Sequence, residues 1–232
     1  VMALQIAINQ AQLGYKVILV PLEMSKVEML GRMMANIVSL DVTRILQKRL
    51  TQAERDMAAR KFKKWLRKVK RAGGRLTVFK PREDVSIEDV FSATASFDAD
   101  TVIVDYISLL AGTDGDDSWR QLGAVARVAK INAEATNHVN VLLCQLSEEG
   151  KIRYARAVSE HSTASWVWIT SKEEREKQIG RIKIEQPKAR NSRSFPFEVG
   201  IHWEFMRVVS VADVSGDVGD ATEPMKNLTT DL

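Results

Sequence analysis

The segment VILVPLE, residues 17–23, decides the fold, because it is a continuous apolar run of strand length that ends in an acid. TVIVD (101–105) and VLLCQ (141–145) repeat this form, each ending in a polar residue. Strands that are apolar throughout are typical of a parallel sheet covered by helices on both faces. The sequence between these runs has helical periodicity, so the first two-thirds of the chain predict an α/β fold with a mainly parallel central sheet.

Three capping boxes predict where helices begin. Ser25 is followed three residues later by Glu28, Thr51 by Glu54, and Ser86 by Asp89. The last third is richer in strands, with candidates at 166–169, 181–185, 195–199 and 202–209, and Trp166 and Trp168 in the first of these are expected to lie in the core. Their more alternating pattern predicts an antiparallel extension of the sheet. We expect one domain over residues 1–210 and an acidic, flexible tail over 211–232.

Composition excludes several classes of protein. The 232 residues are 45% hydrophobic and 28% charged, which does not fit a disordered chain, a collagen or a coiled coil. No run of about 18 apolar residues predicts a membrane span. Cys144 is the single cysteine, so no internal disulfide can form, and three scattered histidines give no metal-ligand spacing. These features predict a cytoplasmic protein.

Charge is unevenly distributed along the chain. Thirteen Lys/Arg and two acids lie between Arg44 and Arg75, whereas ten acids and two arginines lie between Arg82 and Arg120. The basic stretch is interpreted either as the solvated face of an amphipathic helix or as a surface that meets a polyanion.

Polar residues follow the apolar runs at the place where open α/β sheets bind their ligands. Glu23, Asp105 and Gln145 occupy these positions. Any one of them could be a simple loop or helix cap. Together, a carboxylate that can order Mg²⁺, a carboxylate that can polarise water and an amide that can sense a phosphate predict a nucleotidase site. Downstream, Lys188 and Arg190 follow Pro187, which is expected to end a strand, and they are interpreted as a basic turn or as a clamp for a phosphoryl group.

Four segments in order resemble the RecA-like C-terminal motor domain of the DnaB-like replicative hexameric helicases of bacteria and phages. They are VILVPLEMSKVEMLGRM (17–33), TVIVDYISLL (101–110), VNVLLCQL (139–146) and IEQPKARN (184–191). The resemblance covers roughly residues 1–209. It implies a RecA-like three-layer fold. One departure is Cys144, which stands where the family has serine.

The resemblance implies a role for each matching residue. Glu23 matches the catalytic glutamate that activates the attacking water, and Asp105 matches the Walker B carboxylate that binds Mg²⁺. Gln145 matches the glutamine that couples the nucleotide to the DNA-binding loops. Lys188 and Arg190 match the pair that reaches a neighbouring subunit's γ-phosphate. The implied cofactors are ATP or another NTP and Mg²⁺, and no role is assigned to Arg32.

The resemblance also implies partners. The family's DNA-contacting loops correspond to about 112–120 and 147–160, and the second carries Lys151, Arg153 and Arg156. The sequence departs from the family there, with ARAVSEH at 155–161. Single-stranded DNA, a hexameric ring of identical subunits, a primase and a helicase loader are the expected partners.

The phosphate-binding motif G-x-x-x-x-G-K-[ST] does not occur in the 232 residues. In the family this loop directly precedes the helix that opens here, so we expect a fragment that begins just past the loop and is inactive alone. Two alternatives remain: a RecA-like ATPase that acts in recombination or regulation without unwinding, and a non-catalytic nucleic-acid-binding module with a decayed site.

Overall fold

A computed structural model describes residues 1–82, 84–110, 118–145, 157–190 and 193–214. Helices and strands alternate through the first two-thirds, and strands dominate the last third. The helices are α1 (Met2–Gln12), α2 (Lys26–Val38), α3 (Val42–Leu46), α4 (Gln52–Ala72), α5 (Ile87–Thr94), α6 (Ser118–Thr136), α7 (157–161) and α8 (Lys172–Glu176). The strands are β1 (Lys16–Pro21), β2 (Arg75–Val78), β3 (Thr101–Asp105), β4 (Val139–Leu142), β5 (Ala164–Ile169), β6 (Ile179–Ala189), β7 (Phe197–His202) and β8 (Arg207–Val209).

The first sheet has the order β2-β1-β3-β4, and all of its strand pairs are parallel. Alternate residues of β1 point to opposite faces. Val17 and Leu19 pack with α1, α2 and α4, whereas Ile18 and Val20 pack with α5 and α6. Two helical layers therefore enclose one parallel sheet, and the predicted three-layer α/β fold is confirmed.

The second sheet has the order β5-β6-β7-β8, and its strand pairs are antiparallel. Ile182, Ile184 and Ile201 form its buried face, against which the first residues of the chain, Val1 and Met2, pack. This sheet confirms the predicted antiparallel C-terminal extension.

A buried polar cluster joins the two sheets. Asn36 of α2 is 2% exposed, and its side-chain amide donates to the Met206 carbonyl at 2.6 Å and to Gln5 Oε1 at 2.9 Å. Gln5 Oε1 also accepts from the backbone N–H of Val208 at 3.2 Å, while Arg207 donates to the Asn36 carbonyl. Because buried polar groups are costly unless paired, these bonds fix β8 against α1 and α2.

The helix starts follow from the predicted capping boxes. Ser25, Thr51 and Ser86 each accept from the backbone N–H three residues on, and the acid at that position binds back to the cap. At its other end α4 stops at Gly73, which takes a left-handed conformation with φ of 80°.

Two local predictions were wrong. Pro187 does not end a strand, because β6 continues to Ala189. The β7 ladder has already ended at Ile184, and the pairing with β5 shifts register between Ser165 and Val167, so the missing N–H of proline breaks no ladder bond. Two tryptophans of β5 that the apolar pattern assigned to the core, Trp166 and Trp168, are 54% and 40% exposed, since β5 is the edge strand of its sheet.

The end of the chain is described only as far as residue 214. Val211–Val214 form a 3₁₀ turn that contacts β6 and β7. The predicted acidic tail beyond this turn lies outside the described residues. Within the described ranges, no helix combines the length and the hydropathy that crossing a membrane requires.

Candidate functional site

The carboxyl ends of β1, β3 and β4 form one edge of the parallel sheet. Pro21 pairs with Asp105, and Val104 pairs with Leu142, so the strands end at nearly the same level. The Leu22 N–H donates to the Asp105 carbonyl at 2.7 Å, which holds the loop after β1 beside β3. The polar residues that follow the three strands therefore meet at this edge.

A cleft of about 250 Å³ opens at this edge, and its lining contains the three polar residues that were predicted to meet there. The carboxylates of Glu23 and Asp105 and the amide of Gln145 share it with residues that directly follow the strands: Tyr106, Leu143 and Cys144. Glu23 and Gln145 are exposed, whereas Asp105 is half-buried. The structure thus brings together side chains separated by more than a hundred positions in the chain.

The cleft is electrostatically negative. Burial raises the pKa of Asp105 above its ordinary value of 3.8, and the nearby charge of Glu23 raises it further. Burial raises the pKa of Tyr106 as well, with smaller contributions from Glu23 and Asp105. The charge of Arg32 lowers the pKa of Asp105 and partly offsets these effects. An added cation would relieve this repulsion.

The start of α1 lies beside the same cleft. Val1, which precedes α1, lies near Asp105 and Arg32. No side chain caps the first turn of α1, and no acid occupies it. The dipole of a helix N-terminus that carries no acid favours a bound anion, phosphate above all.

The donor set of the cleft suits Mg²⁺ bound together with a phosphate. Mg²⁺ prefers oxygen ligands and is commonly held by one or two carboxylates, with waters and phosphate oxygens completing its shell. Asp105 and Glu23 supply such carboxylates. Across the described parts of the chain, no cluster of three or more His, Cys, Asp or Glu forms a complete protein cage for a metal.

Lys188 lies on β6 of the second sheet, Arg190 directly follows that strand, and neither lines this cleft. The Lys188 ammonium donates to the carbonyl of Glu160, at 2.9 Å, and to that of Ser159. Burial lowers its pKa, and the charges of Arg190 and Lys130 add to this. The Arg190 backbone N–H donates to the Thr163 carbonyl at 3.1 Å, while its side chain is exposed.

The predicted DNA-contacting cations Lys151, Arg153 and Arg156 lie outside the described residues. The segment that follows them is described: residues 157–161 are helical, and Lys188 binds carbonyls of this helix. The end of the candidate DNA loop is therefore tied directly to β6.

Tyr106 and Cys144 line the cleft, although no role is predicted for either from the sequence. The Cys144 Sγ lies 3.8 Å from the hydroxyl of Ser108, and burial raises the pKa of the thiol. A usable signal existed, because each is adjacent in sequence to a predicted site residue, Asp105 or Gln145, at a strand end.

Comparisons with known proteins concern the fold and the family. No curated protein matches the sequence. The fold is similar to a solved structure described as an ATPase domain, with a TM-score of 0.69 and 19% identity, over 90% of this chain and 79% of that one. It is also similar to a DnaB-like replicative helicase solved to study its interactions with primase, with a TM-score of 0.72 and 18% identity, over 90% of this chain and 55% of that one. At such identities the likeness concerns the fold, and the chain spans about half the length of the second protein. The family model for the DnaB-like helicase C-terminal domain matches residues 1–159, and the chain therefore belongs to that family.

Proposed function

We propose that this chain is part of an ATP-dependent replicative DNA helicase, a motor that moves along single-stranded DNA and unwinds the duplex at the fork. The observation that carries the proposal is the convergence of Glu23, Asp105 and Gln145 at one cleft beside the start of α1. Acid, acid and amide at one cleft beside a helix N-terminus are groups that phosphoryl transfer to water uses.

Each cleft residue has a distinct task in this proposal. Asp105 would hold Mg²⁺, which neutralises phosphate charge when it is bound with the nucleotide. Glu23 is exposed in the cleft and accepts a proton from the attacking water. Gln145 follows β4, directly before the candidate DNA loop, so its amide can transmit the presence of the γ-phosphate to that loop.

In an assembled ring, a neighbouring subunit would supply the cations that the cleft lacks. Lys188 lies on the other sheet and Arg190 directly follows its strand, away from the chain's own cleft, which favours action on the nucleotide of a neighbouring subunit. A cation donated in trans makes hydrolysis depend on ring formation. We propose a homo-hexamer with single-stranded DNA in contact with Lys151, Arg153 and Arg156, and a primase and a loader as partners.

The test is Glu23→Gln in the chain joined to a preceding G-x-x-x-x-G-K-[ST] loop. Glutamine keeps the size of the side chain but cannot accept the proton. The rate of ATP hydrolysis should fall at least about 100-fold, as is usual when a general base is removed, while nucleotide affinity changes only a few-fold. Steady-state hydrolysis and nucleotide titration measure the two effects.

Glu88→Gln is the matched control, because Glu88 is an exposed glutamate on α5, outside the cleft. It should leave both quantities unchanged. Unreduced hydrolysis by the Glu23 variant would refute the role of Glu23. Hydrolysis without unwinding of a forked substrate would favour a RecA-like ATPase of recombination or regulation. Failure to bind nucleotide at all, with the loop present, would favour a non-catalytic module.

A further inference from the structure

Helix α4 carries a stripe of cations that the proposed motor does not use. Its six members recur at the helical spacing i, i+3, i+4, i+7, i+10 and i+11, and all are exposed. At 100° per residue they lie on the face opposite the buried residues Ala58, Trp65 and Val69. We call this surface the α4 stripe, and its residues are Arg60, Lys63, Lys64, Arg67, Lys70 and Arg71.

The described parts of the chain neutralise the α4 stripe little: one exposed acid, Asp56, precedes Arg60 by four residues on the same face. No carboxylate of those parts lies within ion-pair distance of its six cations. Two lysines that border it have partners: Lys61 donates to the Val38 carbonyl at 3.3 Å, and Lys68 donates to Gln12 Oε1 at 2.9 Å. These two cations contact the body of the domain, whereas the stripe faces solvent.

The like charges of the α4 stripe repel one another, and this repulsion disfavours helix α4. Arg67 has a cation four residues before it and another four residues after it, at Lys63 and Arg71, and like charges at this spacing repel. A face that serves only solubility intersperses both signs, as α8 does with its sequence KEERE. A stripe of one sign is instead suited to an external anion that relieves the repulsion.

The chemistry of the α4 stripe indicates which kind of anionic partner it binds. A helix that lies on a lipid surface needs an apolar face free to insert, but the apolar face of α4 is buried in the domain core. A protein interface usually has an apolar centre and is depleted in lysine, whereas three of the six stripe residues are lysines and the one large apolar side chain beside them, Leu66, is only 45% exposed. A row of closely spaced phosphates matches six cations spread over about 16 Å of helix.

We propose that the α4 stripe binds the phosphate backbone of a nucleic acid, independently of base sequence. This surface is separate from Lys151, Arg153 and Arg156, and it shares no residue with the cleft. The proposal does not depend on ATP hydrolysis, so it and the proposed motor function can fail separately.

The test compares two variants of the whole chain that lose the same charge. Lys63→Gln, Arg67→Gln and Lys70→Gln are combined in the stripe variant. Lys172→Gln, Arg175→Gln and Arg181→Gln are combined in the control variant, at positions on α8 and β6. Binding of labelled single-stranded and duplex DNA of mixed sequence is followed by fluorescence anisotropy between about 50 and 200 mM salt.

Counterion release gives the expected size of the effect. Because the slope of log K against log[salt] is negative, losing three phosphate contacts reduces its magnitude by about 2.7 for duplex and about 2.1 for a single strand. Over a four-fold change in salt, wild type should therefore lose about 40-fold more duplex affinity, or about 18-fold more single-strand affinity, than the stripe variant. The probe that shows the change identifies the strand state.

A charge-preserving variant and a stability measurement complete the test of phosphate binding. Exchanging lysine and arginine at positions 63, 67 and 70 preserves charge and should preserve the slope. The stripe variant should melt no lower than wild type, because it relieves repulsion on an exposed face. An unchanged slope on both probes, or an equal change in the control variant, would overturn the proposal. So would loss of self-association without a change in DNA binding, which would assign the stripe to an acidic surface of a second copy.

Discussion

Replacing Asp105 by asparagine should stabilise the folded chain at neutral pH, although Asp105 belongs to the candidate site. Burial raises the pKa of this carboxyl, and Glu23 adds to the effect, so the ionised form is less favourable in the folded state than in the unfolded state. A raised pKa contributes stability below the ordinary value of 3.8, and this contribution is lost as the pH rises through the folded-state pKa. Asparagine has no charge to bury and therefore avoids this loss.

The size of the effect follows from the environment of the carboxylate. No described residue donates a hydrogen bond to it, and leaving a buried acceptor without a partner costs about 1–3 kcal/mol. Since the cleft still admits water on one side, we expect the lower end, about 1 kcal/mol. In a domain of this size, that corresponds to a rise in Tm of about 2–4 °C.

Thermal or urea unfolding of wild type and variant between about pH 3 and pH 8, without Mg²⁺, measures the difference. The two proteins should be equally stable near the acid end of this range, and the variant should gain as the pH rises. Asp98→Asn is a control of opposite sign: the Lys16 ammonium lowers the pKa of Asp98, so this variant should lose stability above about pH 4. A flat or negative pH dependence for the Asp105 variant would refute the electrostatic reasoning.

Two further predictions concern packing. Gly74→Ala should destabilise the chain by about 2–3 kcal/mol, because its Cβ would overlap the carbonyl oxygen of Ala11. At the neighbouring Gly73 an added Cβ meets nothing within 4 Å, so Gly73→Ala should cost only about 1–2 kcal/mol for its left-handed backbone. Equal losses of stability in urea unfolding would contradict this packing. Asn36→Leu should cost about 1–3 kcal/mol and accelerate amide hydrogen exchange in β8 more than in β1, because the Met206 carbonyl loses its donor; a uniform acceleration would show that Asn36 does not fix β8 specifically.

The parts of the fold that sequence predicted are those with local causes. Capping boxes fix helix starts through bonds three residues apart, and all three predicted boxes form. Apolar runs identify parallel strands because both faces of such strands are covered. The juxtaposition of Glu23, Asp105 and Gln145 was predictable for the same reason, since parallel strands end at a common edge.

Features with non-local causes could not be predicted from the sequence. The exposure of Trp168 depends on β5 being an edge strand. The order of strands in a sheet cannot be predicted from the apolar pattern of a single strand. Pro187 stays within β6 because a register shift spares it, and a register shift depends on the partner strand. The bonds of Lys188 to carbonyls near residue 160 likewise join segments that are distant in the chain.

The position of the second sheet bears on how the proposed ring would work. The start of α1 lies at the cleft, its first residues pack beneath β6 and β7, and Asn36 and Gln5 bind β8 through buried hydrogen bonds. Moving Lys188 relative to the chain's own cleft would break this apolar contact and this polar cluster together, and buried polar groups left unpaired are costly. Motion between whole subunits breaks neither. We therefore expect Lys188 and Arg190 to approach a neighbour's nucleotide when whole subunits rotate as rigid bodies. Asn36→Leu breaks the polar cluster, so it should let Lys188 move independently of the chain's own cleft.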